Sequence, residues 1–359
     1  MNDKKRIVNS LLNGTTDVIG QMISMLLGFV VRTVFIYCLG EEFLGINGLI
    51  QNILSVLCIA DLGLESAIVF SLYRPLAEND TVKVNIIMSL YKRSYFIIGS
   101  LIFLLGILLV PILPFLLKES TDLVNINLIY VFFLFDTVSG YWFFAYRKTI
   151  LVADQKAYKT SIVLYTTRGF ASVLQIVELI VLKNFYFYVI IGIASNVVSN
   201  IIAARIAIKE YPFLKQKTKE KLPKEEKMLI KKNIIGSFIY KVSEVGVNST
   251  DNIIISVLIG VAVVGKYSNY LLIISYIQLF INKIFDAFTA SVGNLYVKEN
   301  SKKNKMIFDC LNFLDFWIYG ISCILYFVLI NPFIELWIGK TYLLDEKVIY
   351  LVFFNLLVV

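Results

Sequence analysis

The chain has 359 residues, 58% of them in the hydrophobic set and only 17% charged, with no histidine and a formal net charge of +8. Ordinary soluble domains carry roughly 45–50% apolar and about 25% charged residues, so this composition excludes a soluble globular protein. The lack of histidine also excludes imidazole catalysis and His-ligated metals. An all-α polytopic membrane protein is left, and the placement of its positive charge decides what that charge is for.

Crossing the hydrocarbon core takes about 20 apolar residues per helix. Helices are predicted near 12–39, 43–73, 87–117, 124–147, 160–182, 184–208, 233–259, 266–297, 306–331 and from 347 onward. The first is too long, and too polar at Asp17 and Gln21, to be a cleaved signal peptide. Cys38, Cys58, Cys310 and Cys323 fall inside or at the ends of apolar segments without short-range pairing, which argues against a disulfide framework or a metal site. Of the 34 Lys and Arg, 25 lie at the N-terminus or in the loops after the second, fourth, sixth and eighth helices. Lys118, Lys183, Lys266, Lys340 and Lys347 lie on the other side. This asymmetry puts the N-terminus in the cytoplasm. The basic excess is therefore a topology signal and a contact for anionic lipid head groups, not a nucleic-acid surface.

One pattern is stated twice. Gly40 to Gly45, an apolar segment and Leu72-Tyr73 are echoed 220 to 223 residues later by Gly260 to Gly265, an apolar segment and Leu295-Tyr296. So long a period predicts two copies of a multi-helix bundle. An N-terminal six-helix lobe is expected over 1–208, a cytoplasmic linker over 209–232 and a C-terminal lobe over 233–359. With six helices in the first copy, both copies start from the cytoplasm as parallel repeats around a central cavity. The second lobe is expected to hold about four helices and to be incomplete, because the run after Glu346 is too short to cross a bilayer.

Polar residues inside the predicted helices fall in stripes at helical spacing. The first helix aligns Asp17, Gln21, Ser24, Gly28 and Arg32, and the second aligns Asn47, Gln51, Ser55, Cys58, Asp61 and Glu65. The fifth carries Ser161, Tyr165, Arg168, Ser172, Gln175 and Glu178. In the second copy the stripes are Ser237, Lys241, Glu244, Asn248, Asp251 and then Ser275, Gln278, Asn282, Asp286, Thr289, with Lys283 beside them. Any one pair, such as Lys241 with Glu244 or Lys283 with Asp286, has a plain reading as interhelical packing. Five striped helices spread over two copies point instead to a hydrated cavity. Arg32 sits about 10 Å from its helix end and has a second reading as a snorkelling side chain. Arg32, Arg168, Lys241 and Lys283 would attract an anion such as a pyrophosphate, with Gln21, Gln51, Asn248, Gln278 and Asn282 as polar lining. Asp61, Glu65, Glu244, Asp251 and Asp286 are intramembrane carboxylates and candidates for coupling to a proton or sodium ion; Asp61, with no lysine neighbour, comes first. Gly260 to Lys266 has the spacing of a P-loop but ends in Tyr267 where Ser or Thr is needed, so no nucleotide site is expected.

Arg32-x-x-Phe35, Leu39-Gly40-x4-Gly45-Ile46-Asn47-Gly48-Leu49, Ala60-Asp61-Leu62-Gly63-Leu64 and Ser71-Leu72-Tyr73-Arg74-Pro75-Leu76 resemble the polysaccharide branch of the multidrug, oligosaccharidyl-lipid and polysaccharide exporter superfamily. Ser256 to Gly260 and Gly265 to Tyr270 resemble that family's second-lobe turn. The resemblance implies a flippase that moves undecaprenyl-pyrophosphate-linked oligosaccharide repeat units across a bacterial cytoplasmic membrane by alternating access. No covalent catalysis and no cofactor are expected, and the protein should act as a monomer. Such proteins have twelve to fourteen helices, more than this chain supplies. The alternatives are a cation-coupled exporter of amphipathic drugs and a membrane glycan polymerase or ligase, which would need larger outer loops.

Overall fold

Three helix starts are fixed by side chains that accept the first backbone amides, which have no partner within the helix itself. Asp80 accepts from Lys83 N at 2.9 Å, Asn125 from Leu128 N at 3.1 Å, and Asn184 from Tyr186 N at 2.9 Å and Phe187 N at 3.4 Å. The computed structural model describes residues 3–58, 63–116, 125–216, 223, 228, 232, 234–235, 252–298, 301–345 and 349. Its helices are α1 (Asp3–Leu39), α2 (Glu41–Leu57), α3 (Leu64–Ala77), α4 (Thr81–Leu109), α5 (Leu113–Leu116), α6 (Ile126–Trp142), α7 (Thr149–Ala153), α8 (Ala157–Val181), α9 (Phe185–Glu210), α10 (252–258), α11 (Val261–Lys298) and α12 (Ser301–Ile338). Among the described residues no strand occurs. Five helices among the described residues are long and apolar enough to cross a membrane, and α6 with Ala145–Ala153 forms a sixth candidate bent by 47°. The expected all-helical, multi-span architecture is what the chain adopts.

Inside apolar helices the hydroxyls satisfy themselves. Thr33, Ser71, Ser100, Thr137, Thr167 and Ser275 each donate to the carbonyl four residues earlier, at 2.7–2.9 Å. A Ser or Thr in a stripe is thus compatible with lipid and does not by itself mark a cavity.

Two predicted helices are broken. The segment expected as one helix over 43–73 is two, α2 ending at Leu57 and α3 starting after Gly63, whose φ of +96° is left-handed. The segment expected over 124–147 ends at Trp142, and Phe144 at φ +62° turns the chain into α7. The short pieces α3 and α7 pack on each other, and Thr149 Oγ1 donates to Glu65 Oε1 at 3.2 Å. They also end alike. Glu78 N, Asn79 N and Asp80 N donate to Arg74 O, Leu76 O and Pro75 O, while Asp154 N, Gln155 N and Lys156 N donate to Ile150 O, Val152 O and Leu151 O. Asn79 at φ +57° and Gln155 at φ +59° occupy the same place in these two left-handed helix stops.

An apolar cluster lies around these pieces, with Leu72 of α3, Met88 and Tyr91 of α4, Ile150 of α7 and Ala207 of α9 buried together. Farther along, Gly99 and Gly106 let α6 approach α4 closely, since a Cβ at Gly106 would strike Leu134, and Tyr130 Oη donates to Gly106 O at 3.0 Å. The opposite face of α4, with Phe96, Leu104 and Leu108, is exposed.

By compactness the chain divides into residues 1–264 and 265–359. In the second unit Tyr270 Oη of α11 donates to Asn331 Oδ1 of α12 at 2.9 Å and accepts from Leu344 N at 3.1 Å. Gly265, Lys266 and Tyr267 lie within α11, so the P-loop spacing from Val261 onward falls on helix rather than on a loop.

Candidate functional site

In the first unit α8 packs along α1 and α9, and α6 packs along α9. This order brings polar residues of four spans to one level. Tyr165 Oη on α8 lies 2.7 Å from Asp17 Oδ1 and 3.1 Å from Gln21 Oε1 on α1. Asn196 Nδ2 on α9 donates to both oxygens of Asp136 on α6, at 3.0 Å each. Arg168, one turn beyond Tyr165, acts electrostatically on both Asp136 and Tyr165. Arg168 is exposed, and none of its donors meets a protein partner among the described residues. Eleven residues separate it from Ala157, so it stands about 16 Å into its span. An exposed guanidinium held there between a carboxylate and a phenol can take a doubly bonded oxyanion.

Gly20 allows this arrangement, since any Cβ there would fall on the Tyr165 ring, whereas a Cβ at Gly14 on the same helix meets nothing within 4 Å. Gly20→Ala should push Tyr165 away from Asp17 and lower stability by about 1–3 kcal/mol. Gly14→Ala should be neutral or stabilising. Thermal unfolding of the two variants checks this.

A second polar level lies toward the far ends of the same helices, about 22 Å along α1 from Asp17. Arg32 acts electrostatically on Tyr188, as does Glu178. Tyr188 is ringed by Phe35 at 5.0 Å and Phe185 at 6.3 Å. Glu178 accepts from Asn184 N at 2.9 Å with one oxygen, and its other oxygen is buried without a hydrogen bond.

The other described candidates stand on other helices. Gln51 is exposed and bonds Asn47 of its own helix at 3.1 Å. Glu65 on α3 accepts from Thr149 Oγ1 with one of its oxygens. Gln278, Asn282 and Lys283 stand on α11 in the second unit, with Asn282 exposed and the other two half-buried. Asp61, Lys241, Glu244, Asn248 and Asp251 lie outside the described residues, as does the side chain of Asp286. Sequence reasoning missed Asp136 and Asn196. Asp136 is the one charged residue of α6, and that intramembrane charge was its signal; Asn196 sits among Ser195, Ser199 and Asn200 of α9 and is uncharged.

Comparison with known proteins finds a family model described as polysaccharide biosynthesis protein, matching residues 11–289. No curated protein matches the chain. Among solved structures it is similar to an inward-facing multidrug resistance MATE family transporter of the MOP superfamily, at 13% identity and a TM-score of 0.61 over 93% of this chain and 77% of that one. It is also similar to MATE in complex with MaL6, at 15% identity and a TM-score of 0.56 over 97% and 76% of the two chains. A third, MATE in the bent conformation, aligns at 16% identity and a TM-score of 0.53 over 93% and 78%. At these identities the likeness concerns the fold.

Proposed function

Because the chain belongs to the polysaccharide biosynthesis protein family and has the fold of the MATE transporters, we propose that it is a flippase for lipid-linked oligosaccharides. Its cargo in this reading is an undecaprenyl-pyrophosphate-linked repeat unit, carried from the cytoplasmic to the outer leaflet by alternating access of two lobes. The observation that carries the reading is Arg168, an exposed guanidinium deep in a span, which suits a phosphate of the cargo better than a lipophilic cation. Arg32, and Lys241 and Lys283 of the second lobe, are proposed as further phosphate contacts. The protein sits in the cytoplasmic membrane with its N-terminus inside, as the distribution of Lys and Arg supports, and works as a monomer.

Asp136 supplies the means of release. Its negative charge offsets that of the guanidinium without bonding it, so protonating Asp136 strengthens the hold of Arg168 on the phosphate and deprotonation weakens it. This assigns proton coupling to Asp136 ahead of Asp61. In proteoliposomes, wild-type flipping should respond to an imposed proton gradient, and Asp136→Asn should flip at a rate that no longer does. Asp61→Asn should keep the response.

The test of the function uses a fluorescent lipid-linked oligosaccharide in proteoliposomes with a membrane-impermeant quencher. Protein-dependent loss of the protected fraction is expected. A protected fraction that stays at its protein-free level would overturn the flippase reading. The drug-exporter alternative draws on the multidrug neighbour; it requires efflux of a lipophilic cation such as ethidium, and none is expected.

A further inference from the structure

The two matched helix stops face each other across a cavity of about 510 Å³ at the end of the first unit where α3 and α7 terminate. Leu76 and Ala153 form part of its lining, with Tyr73, Asn79, Asp154 and Gln155. Its polar groups are unspent. Asp154 uses only Oδ2, toward Tyr211 and Lys156. Gln155 engages neighbours only through its main chain, and the side-chain amide of Asn79 has no protein partner among the described residues. Tyr73 is half exposed and meets Phe70 only at its edge, with centroids 6.3 Å apart.

The backbone makes the choice of residues informative. At positive φ a glycine is free of strain, asparagine is tolerated, and glutamine is disfavoured. The sequence nevertheless holds an amide at both φ +57° and φ +59°, and both amides line this one cavity. A helix stop alone needs neither. Two planar amides, a carboxylate oxygen and an exposed aromatic ring, with no cation among the described lining residues and Lys156 taken up by Asp154 Oδ2, make a donor and acceptor set for the hydroxyls and apolar face of a pyranose. It is not a set for a phosphate.

We propose that this cavity binds a sugar residue of the cargo at the cytoplasmic mouth of the N-terminal lobe, before the pyrophosphate reaches Arg168. The inference rests on the flippase reading and on the orientation given above. It places saccharide recognition apart from the phosphate contacts, so that the glycan is read at the lobe's end and the charge inside the span.

The test is made on the full chain in lipid nanodiscs, because alkyl glucoside or maltoside detergents would compete. Saturation-transfer NMR is recorded with the methyl glycosides of glucose, galactose and N-acetylglucosamine, with glycerol as control. At least one glycoside should receive transfer and glycerol none. The pair Asn79→Gly with Gln155→Gly should bind at least about tenfold more weakly while its melting temperature is unchanged or raised, because glycine suits both backbones. Tyr73→Leu should weaken binding as well. Absence of transfer from every glycoside, or equal transfer in the glycine pair, overturns the proposal. Glycoside binding is measured without transport, so flipping without binding would sink the sugar site alone, and binding without flipping would sink the transport reading alone.

Discussion

Arg168→Ala is expected to reduce flipping by at least about tenfold to a hundredfold, because the charge-assisted hold on phosphate, worth about 1.5–3 kcal/mol for even a single such hydrogen bond, is lost. Stability should change by no more than about 0.5 kcal/mol, since the side chain is exposed and makes no hydrogen bond among the described residues. Arg168→Lys separates charge from geometry. A lysine keeps the point charge and loses the two-pronged grip, so an intermediate rate is expected if both contribute. Flipping initial rates at matched protein levels are the measurement, and an alanine variant at the wild-type rate would remove Arg168 from the mechanism. Arg32→Ala provides the contrast. Arg32 acts on Tyr188 within an aromatic nest, so its loss should lower stability and transport together.

The other large effect concerns the end of α9. Lys156 Nζ lies 2.8 Å from Asp154 Oδ2 and 3.1 Å from Glu210 Oε2, donates to Tyr211 Oη at 3.0 Å and stands over the Tyr211 ring at 5.1 Å. Tyr211 Oη donates to Asp154 Oδ2 at 2.5 Å, and Lys159 pairs with the other oxygen of Glu210. Just beyond, Asn85 Nδ2 holds Phe213 O at 3.2 Å and Gln216 O at 2.9 Å. Lys156→Met leaves Asp154 and Glu210 partly desolvated with one cation fewer, at a cost of about 1–3 kcal/mol. A lower melting temperature and faster proteolysis at 211–216 should follow. Proteolysis at the wild-type rate would show that Asn85 alone anchors the segment.

The pH dependence of this cluster has a definite sign. Burial lowers the Lys156 pKa, but hydrogen bonds to Asp154, Tyr211 and Glu210 outweigh it and hold the ammonium above its ordinary value. Burial, and then the bond to Asp154, raise the Tyr211 phenol. A lysine raised on folding stabilises fully below its unfolded pKa of about 10.4 and loses that contribution as pH rises through the folded value. The melting difference between wild type and Lys156→Met should therefore be constant from about pH 7 to pH 9.5 and shrink only in stronger alkali.

Period and composition revealed the class of fold because membrane spans must satisfy their own backbone and advertise it as long apolar runs. Asp17, Gln21, Tyr165 and Arg168 were legible for the same reason, as polar residues at helical spacing on helices that do pack together. Asp136 stood out only as the one charge of α6, and Asn196 was one of several polar residues of α9, so only contact between the two helices pairs them. The breaks were harder still. Gly63 reads as a tolerated helix glycine until its φ of +96° is seen, and nothing in Trp142-Phe143-Phe144 signals a turn, since phenylalanine has no preference for the left-handed region. That turn is imposed by packing around α7. Ser275 and its kind misled in the other direction, by bonding within their own helix.

The breaks at Gly63 and Phe144 leave α3 and α7 as short separate pieces. Glu65 and Thr149 tie them together, and both pieces are buried with α4 and α9, so neither can tilt without opening that core. The cavity beside their ends therefore keeps its shape before a ligand arrives, and a ligand that fits it loses little free energy to ordering of the walls.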